Sequence, residues 1–130
     1  MQNELKRFRR SLGHAFDGLS YALAQERNFR IEICIAVLVV FFTLLFKIKN
    51  WEAIVLVLMI MWVLVAELAN TVLERVVDIL KPRIHPYARL IKDLMAAIVL
   101  ISSSVAIVVG IIIFYPYFRD LFFALHSNIF

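Results

Sequence analysis

Between Leu94 and Phe114 the chain carries no charged residue, and between Ala53 and Ala66 it carries none either. Such runs leave few folds open. A hydrocarbon layer about 30 Å thick is crossed by about 20 residues of helix, because a helix satisfies its own backbone hydrogen bonds where no water can. The longer run predicts one span over residues 87–115, ending in the aromatic belt of Tyr115, Pro116 and Tyr117. The shorter run belongs to a span over 52–80. At about 1.5 Å per residue its uncharged part covers roughly 21 Å of the layer. Glu67 therefore lies well past the midplane, and the helix continues to Leu80, emerging among headgroups before Pro82 and Pro86 force a turn. A further span over 29–47 is interrupted early by Arg30 and Glu32, which places that end near an interface. Lys47 to Asn50 forms a tight connection, with Trp51 as an interfacial anchor.

Composition agrees that lipid is the solvent. Of 130 residues 63% are hydrophobic, and a soluble chain this short would leave much of that surface facing water. One cysteine, Cys34, excludes an internal disulfide framework and reads as a packing residue in its span. Three glycines leave no glycine-rich phosphate loop. The net charge of +4 suits anionic headgroups, and no pattern points to nucleic acid.

Ahead of the spans, Leu5, Phe8, Leu12, Phe16, Leu19 and Leu23 recur every three or four residues, with Lys6, Arg7, Arg10, His14 and Asp17 mostly opposite. This predicts an amphipathic helix over 4–26 lying in the headgroup layer rather than a cleavable signal, since no continuous apolar core precedes Phe29. The whole chain, 1–130, reads as one all-α membrane domain: a surface helix followed by three transmembrane helices. With three crossings, Lys6, Arg7, Arg9, Arg10, Arg27, Arg30, Arg75, Lys81, Arg83, Arg89 and Lys92 share one side, against Lys47, Lys49 and Arg119 on the other. The positive-inside bias then puts the N-terminus in the cytoplasm and the C-terminus outside, in a multi-pass membrane protein.

The charges that remain concentrate in the second span. At about 100 degrees per residue, Glu67, Asn70, Thr71, Glu74 and Asp78 share one stripe about 100 degrees wide. Interhelical hydrogen bonding would account for Asn70 and Thr71. It accounts poorly for three acids on one face, each costing several kcal/mol unless protonated, paired or metal-bound. Glu26, Lys92 and Asp93 fall at the same interface. Carboxylates with lysine and arginine at a membrane surface suit magnesium on phosphate oxygens, and a deeper carboxylate such as Glu67 could take a proton from a lipid hydroxyl. The pattern points to phosphoryl transfer to a lipid. A small oligomer conducting protons or cations is the competing reading, but it requires a polar face that continues across the bilayer, and Ala53 to Ala66 is apolar throughout.

The run Glu67-Leu68-Ala69-Asn70-Thr71-Val72-Leu73-Glu74-Arg75-Val76-Val77-Asp78, with His85-Pro86, Lys92-Asp93 and Ala96-Ala97-Ile98-Val99, resembles the signature of the prokaryotic diacylglycerol kinase and undecaprenol kinase family. Arg7-Phe8 with Ser11, Ala15 and Gly18, and the run Glu26-Arg27-Asn28-Phe29-Arg30-Ile31, extend the resemblance over nearly the whole chain. It implies a homotrimer whose active sites are shared between subunits at the cytoplasmic interface. It implies that Glu67 is the base that deprotonates a lipid alcohol attacking the γ-phosphate of ATP, supported by Asn70. It implies that Glu26 and Glu74 hold Mg2+ on the nucleotide, that His85, Lys92 and Asp93 contact ATP, and that Arg7 and Arg30 contact lipid or phosphate. Asp78 is read as orienting basic neighbours. Glu32 stands where many members of the Gram-positive branch carry histidine, while Glu26-Arg27-Asn28-Phe29 and Phe114-Tyr115-Pro116 resemble the undecaprenol kinase branch more than the enterobacterial diacylglycerol kinase.

Overall fold

In the computed structural model, which describes residues 2–80 and 86–127, the chain folds into four helices and no strand among those residues. They are α1 (Gln2–Gln25), α2 (Arg27–Leu45), α3 (Asn50–Leu80) and α4 (Pro86–Ser127). The last three are long and apolar enough to cross a membrane. The central element is α3: α4 and α2 both pack along it, and α1 meets the beginning of α2.

One extended residue separates α1 from α2. Glu26 has φ −101 and ψ 114, so the helix breaks there, although its N–H still bonds to the Ala22 carbonyl at 2.9 Å. The last carbonyls of a helix lack intrahelical partners. Here Arg30 supplies them, its guanidinium donating to the carbonyl oxygens of Leu23 and Ala24 at 3.2 and 2.8 Å. Arg30, expected at a lipid or phosphate, closes the end of α1 in the structure.

The turn from α2 to α3 follows helix-termination chemistry. Lys47 adopts φ 48, the left-handed conformation that stops a helix, while the Ile48 N–H reaches back to the Thr43 carbonyl at 3.2 Å and the Lys47 N–H to Leu44 at 3.3 Å. Ile48 is thereby buried against Leu56 of α3 and Ile113 of α4. Phe42, Phe46, Phe114 and Phe118 close over this small core with ring centroids 4.8–6.5 Å apart in edge-on and tilted pairs. Elsewhere the large apolar side chains of α2, α3 and α4 point outward: Val37, Leu44, Trp51, Leu100 and Ile112 are all more than half exposed. A membrane helix needs no buried apolar face, because the hydrocarbon is as apolar as its side chains.

The third span differs from expectation at one end. Pro116 does not stop it, and α4 continues to Ser127. Proline removes only its own N–H from the ladder, so the Ile112 carbonyl loses one partner while the aromatic packing of Phe114, Tyr117 and Phe118 on Phe46 holds the two halves together. The serines of this span behave as packing groups: Ser103 and Ser104 bond back to the carbonyls of Val99 and Leu100, and Ser102 accepts the Trp62 indole N–H at 3.1 Å. Cys34 is free and exposed on its span.

Candidate functional site

The polar stripe of α3 turns toward the other helices at its lower end. Glu67 is 3% exposed, and Thr71, one turn on, is 7% exposed, in a protein whose buried groups are few. The Glu67 Oε2 and the half-buried Asn70 Oδ1 have no hydrogen-bond partner among the described residues. Buried acceptors left without a partner are uncommon in folded proteins, and a catalytic or binding role is one of the explanations for them. The Asn28 side chain, from the first turn of α2, reaches the Glu67 carboxyl.

Around Glu67 stand three more carboxylates. Glu74 and Glu26 are both within electrostatic reach of it, the first from two turns along α3 and the second from the break between α1 and α2. Glu32 approaches from the second turn of α2 and is half-buried, with its Oε2 also unbonded among the described residues. Among the described residues two cations answer this charge. The Lys92 ammonium of α4 lies 3.3 Å from Glu74 Oε1, and the Arg75 guanidinium of α3 is hydrogen-bonded to Glu26 Oε1. The expected roles of Glu26, Glu67, Asn70, Glu74 and Lys92 thus fall on residues that the fold gathers at one end of the bundle, with Asp93 exposed beside Lys92.

Other expected residues stand apart. Arg7 is exposed on α1 and faces Glu4 at 3.7 Å. His85 lies outside the described residues. Asp78 is half-buried one turn below Glu74, within electrostatic reach of Arg75. Three residues near the carboxylates are named from sequence without a role in the site. Arg75 sits immediately beside the polar stripe, and Asn28 and Glu32 lie on the turns of α2 that follow Glu26; their common signal was polarity adjoining a span, which an interfacial anchor shares.

Beyond Glu32 a cavity of about 240 Å3 runs between α2, α3 and α4. Ala36, Val39, Leu56, Ile60, Leu64, Ala106, Ile107, Gly110 and Phe114 line it, with Glu32 and Ser103 its polar members. It is an apolar channel headed by a carboxylate that neighbours Glu67. Such a site can hold a long hydrocarbon chain with a polar end group near the acids, while the charged cluster below can hold something hydrophilic.

The profile of the prokaryotic diacylglycerol kinase family matches residues 13–114, which takes in α2, α3 and the first two-thirds of α4. The chain belongs to this family. Its relatives are lipid kinases, and so is this protein. It is similar to the undecaprenol kinase of Bacillus subtilis, with 32% identity over 88% of this chain and 94% of the relative. The diacylglycerol kinase of Synechocystis is 38% identical over 77% of this chain and 58% of its own, longer length. That of Escherichia coli is 28% identical over 84% and 89%. Within this prokaryotic diacylglycerol kinase family member, the matched segment contains every carboxylate of the cluster around Glu67.

Proposed function

We propose that the protein transfers the γ-phosphate of ATP to the hydroxyl of a membrane lipid alcohol, with Glu67 as general base. The observation that carries this reading is the position of Glu67: buried, with one carboxylate oxygen unbonded among the described residues, between an apolar cavity and a charged cluster. In the proposed reaction the lipid chain lies in the cavity with its hydroxyl at Glu67 and Glu32. Glu67 accepts the hydroxyl proton as the lipid oxygen forms its bond to the γ-phosphorus, and the bond from that phosphorus to the bridging oxygen breaks, leaving ADP. Asn70 and Asn28 hold the carboxylate in place. Lys92 balances charge on the phosphates, with Asp93 beside it, and His85 and Arg7 are assigned contacts with nucleotide and with lipid or phosphate on the resemblance alone.

Glu26 and Glu74 would hold magnesium. No three metal-binding side chains converge among the described residues, so a resident all-protein cage does not fit. Two hard carboxylates from different helices do fit an ion that arrives on a nucleotide, since magnesium is commonly held by one or two carboxylates plus phosphate oxygens. When bound it supplies charge neutralisation at those oxygens. In the structure these two carboxylates are paired with Arg75 and Lys92.

A polyprenol such as undecaprenol is favoured over diacylglycerol as the alcohol. Support comes from the Glu26-Arg27-Asn28-Phe29 run, from the coverage of the Bacillus relative, and from a cavity with no polar group beyond Glu32 and Ser103 for a glycerol ester to meet. A homotrimer with shared sites fits a subunit in which Glu74 and Lys92 remain partly exposed among the described residues. The orientation follows the basic side: the N-terminus and the kinase site face the cytoplasm, where ATP is. The conduction reading loses support from the cavity itself, whose walls past Glu32 offer no continuous polar path.

The test is phosphorylation in mixed micelles: purified protein, magnesium, γ-labelled ATP, and undecaprenol or diacylglycerol in separate reactions. Label in the lipid extract, with undecaprenol the better acceptor, is the expected result. No label in either lipid would overturn the reading.

A further inference from the structure

Both carboxylates proposed to hold the metal are already engaged by a cation of this chain, and the two cations differ. Lys92 comes from another helix and belongs to the motif discussed above. Arg75 follows Glu74 directly on α3, lies within the signature run but has no role assigned in it, and reaches across to Glu26 at the break between α1 and α2. Its guanidinium also lies over the Tyr21 ring of α1, 5.7 Å from the centroid. Glu26 is the better buried partner, its side chain 19% exposed against 48% for Arg75. Only one guanidinium nitrogen is used on the carboxylate, in a group that carries five N–H donors arranged as a fork.

The charge balance of the site says what this arrangement does. Glu26 and Glu74 each repel Glu67, so a cation on Glu26 relieves the negative charge gathered there. A divalent ion on that carboxylate competes with the guanidinium for the same oxygens. The nucleotide that accompanies it brings more negative charge than one divalent ion cancels, and a guanidinium fork matches phosphate oxygens better than an ammonium does.

Building on the nucleotide site proposed above, we infer that Arg75 is its exchangeable counterion, bound to Glu26 when no metal is present and transferred to phosphate oxygens when metal and nucleotide enter. The face of Tyr21 supports the guanidinium in both positions, a cation over an aromatic ring that needs no fixed partner. Arg75 is a nucleotide-binding residue that also lowers the affinity of the empty site for bare metal.

This role gives two effects of opposite sign. Full-length protein in detergent is titrated with Mn2+, the free ion being read by its paramagnetic resonance signal, alone and then with the β,γ-imido analogue of ATP. Relative to wild type, Arg75→Ala and Arg75→Gln should bind Mn2+ alone about two- to fivefold more tightly and the Mn2+-nucleotide about two- to fivefold more weakly, as expected for a partly exposed charge pair. Arg75→Lys should fall between them and wild type. Unchanged constants in the variants, or a shift of both in one direction as a loosened α1 would cause, would overturn the inference while leaving the kinase reading intact. Failure of wild type to bind the Mn2+-nucleotide would overturn both. Helix content by circular dichroism checks that the variants are folded, and the glutamine variant keeps the test open if the alanine variant is not.

Discussion

The Tyr117 hydroxyl of α4 donates a 2.5 Å hydrogen bond to the Glu52 carboxylate at the start of α3. Glu52 is 9% exposed, and the same hydroxyl accepts the Lys49 backbone N–H at 3.4 Å. One phenol therefore ties the α2–α3 turn to the far part of α4, at the opposite end of the bundle from the Glu67 cluster. Tyr117→Phe keeps the ring among Phe46 and its neighbours and leaves Glu52 without its donor. Its thermal midpoint in detergent should fall by about 2–6 °C. Kinase activity at permissive temperature should stay near wild type, because nothing at the cluster is touched.

The cavity can be tested by filling it. Nothing lies within 4 Å of a Cβ placed on Gly110, which lines the cavity between Ile107 and Ile111. Gly110→Leu should fold, occupy space assigned to the lipid chain, and raise the KM for a long polyprenol about tenfold, while nucleotide binding stays unchanged. A parallel rise in the KM for ATP would argue against a lipid chain in this cavity.

The ion pair between Lys92 and Glu74 separates binding from chemistry. Lys92→Met removes the proposed phosphate contact and the cation that pairs with Glu74 among the described residues. KM for ATP should rise about tenfold, with a smaller fall in kcat. Glu74→Ala should show its largest effect at low magnesium and recover partly as magnesium is raised. Activity of Glu74→Ala independent of magnesium concentration would remove that residue from the metal site.

Much of this was legible along the chain because it is local. The uncharged runs at 53–66 and 94–114 define spans by length alone, and the stripe from Glu67 to Asp78 follows from helical periodicity within one element. What could not be read is the geometry between elements. Arg75 and Glu26 are 49 positions apart and meet because one extended residue at Glu26 aims the end of α1 at α3. Glu32 looked like a marker of the interface, yet the packing of α2 on α3 sets it beside Glu67 at the head of the cavity. Pro116 reads locally as a stop signal, yet α4 continues through it to Ser127, supported by the aromatic packing of Phe114, Tyr117 and Phe118 on Phe46, which comes from another element.

Glu67→Gln is the most direct measurement of the central claim. The amide preserves size and fills the same buried space, but it cannot accept the lipid proton. Lipid phosphorylation should fall by about 10²–10⁴-fold in kcat, the range for removing a positioned general base, while the affinity for the magnesium nucleotide stays within about threefold of wild type. Turnover equal to wild type with labelled phosphate still reaching the lipid would contradict the role assigned to Glu67.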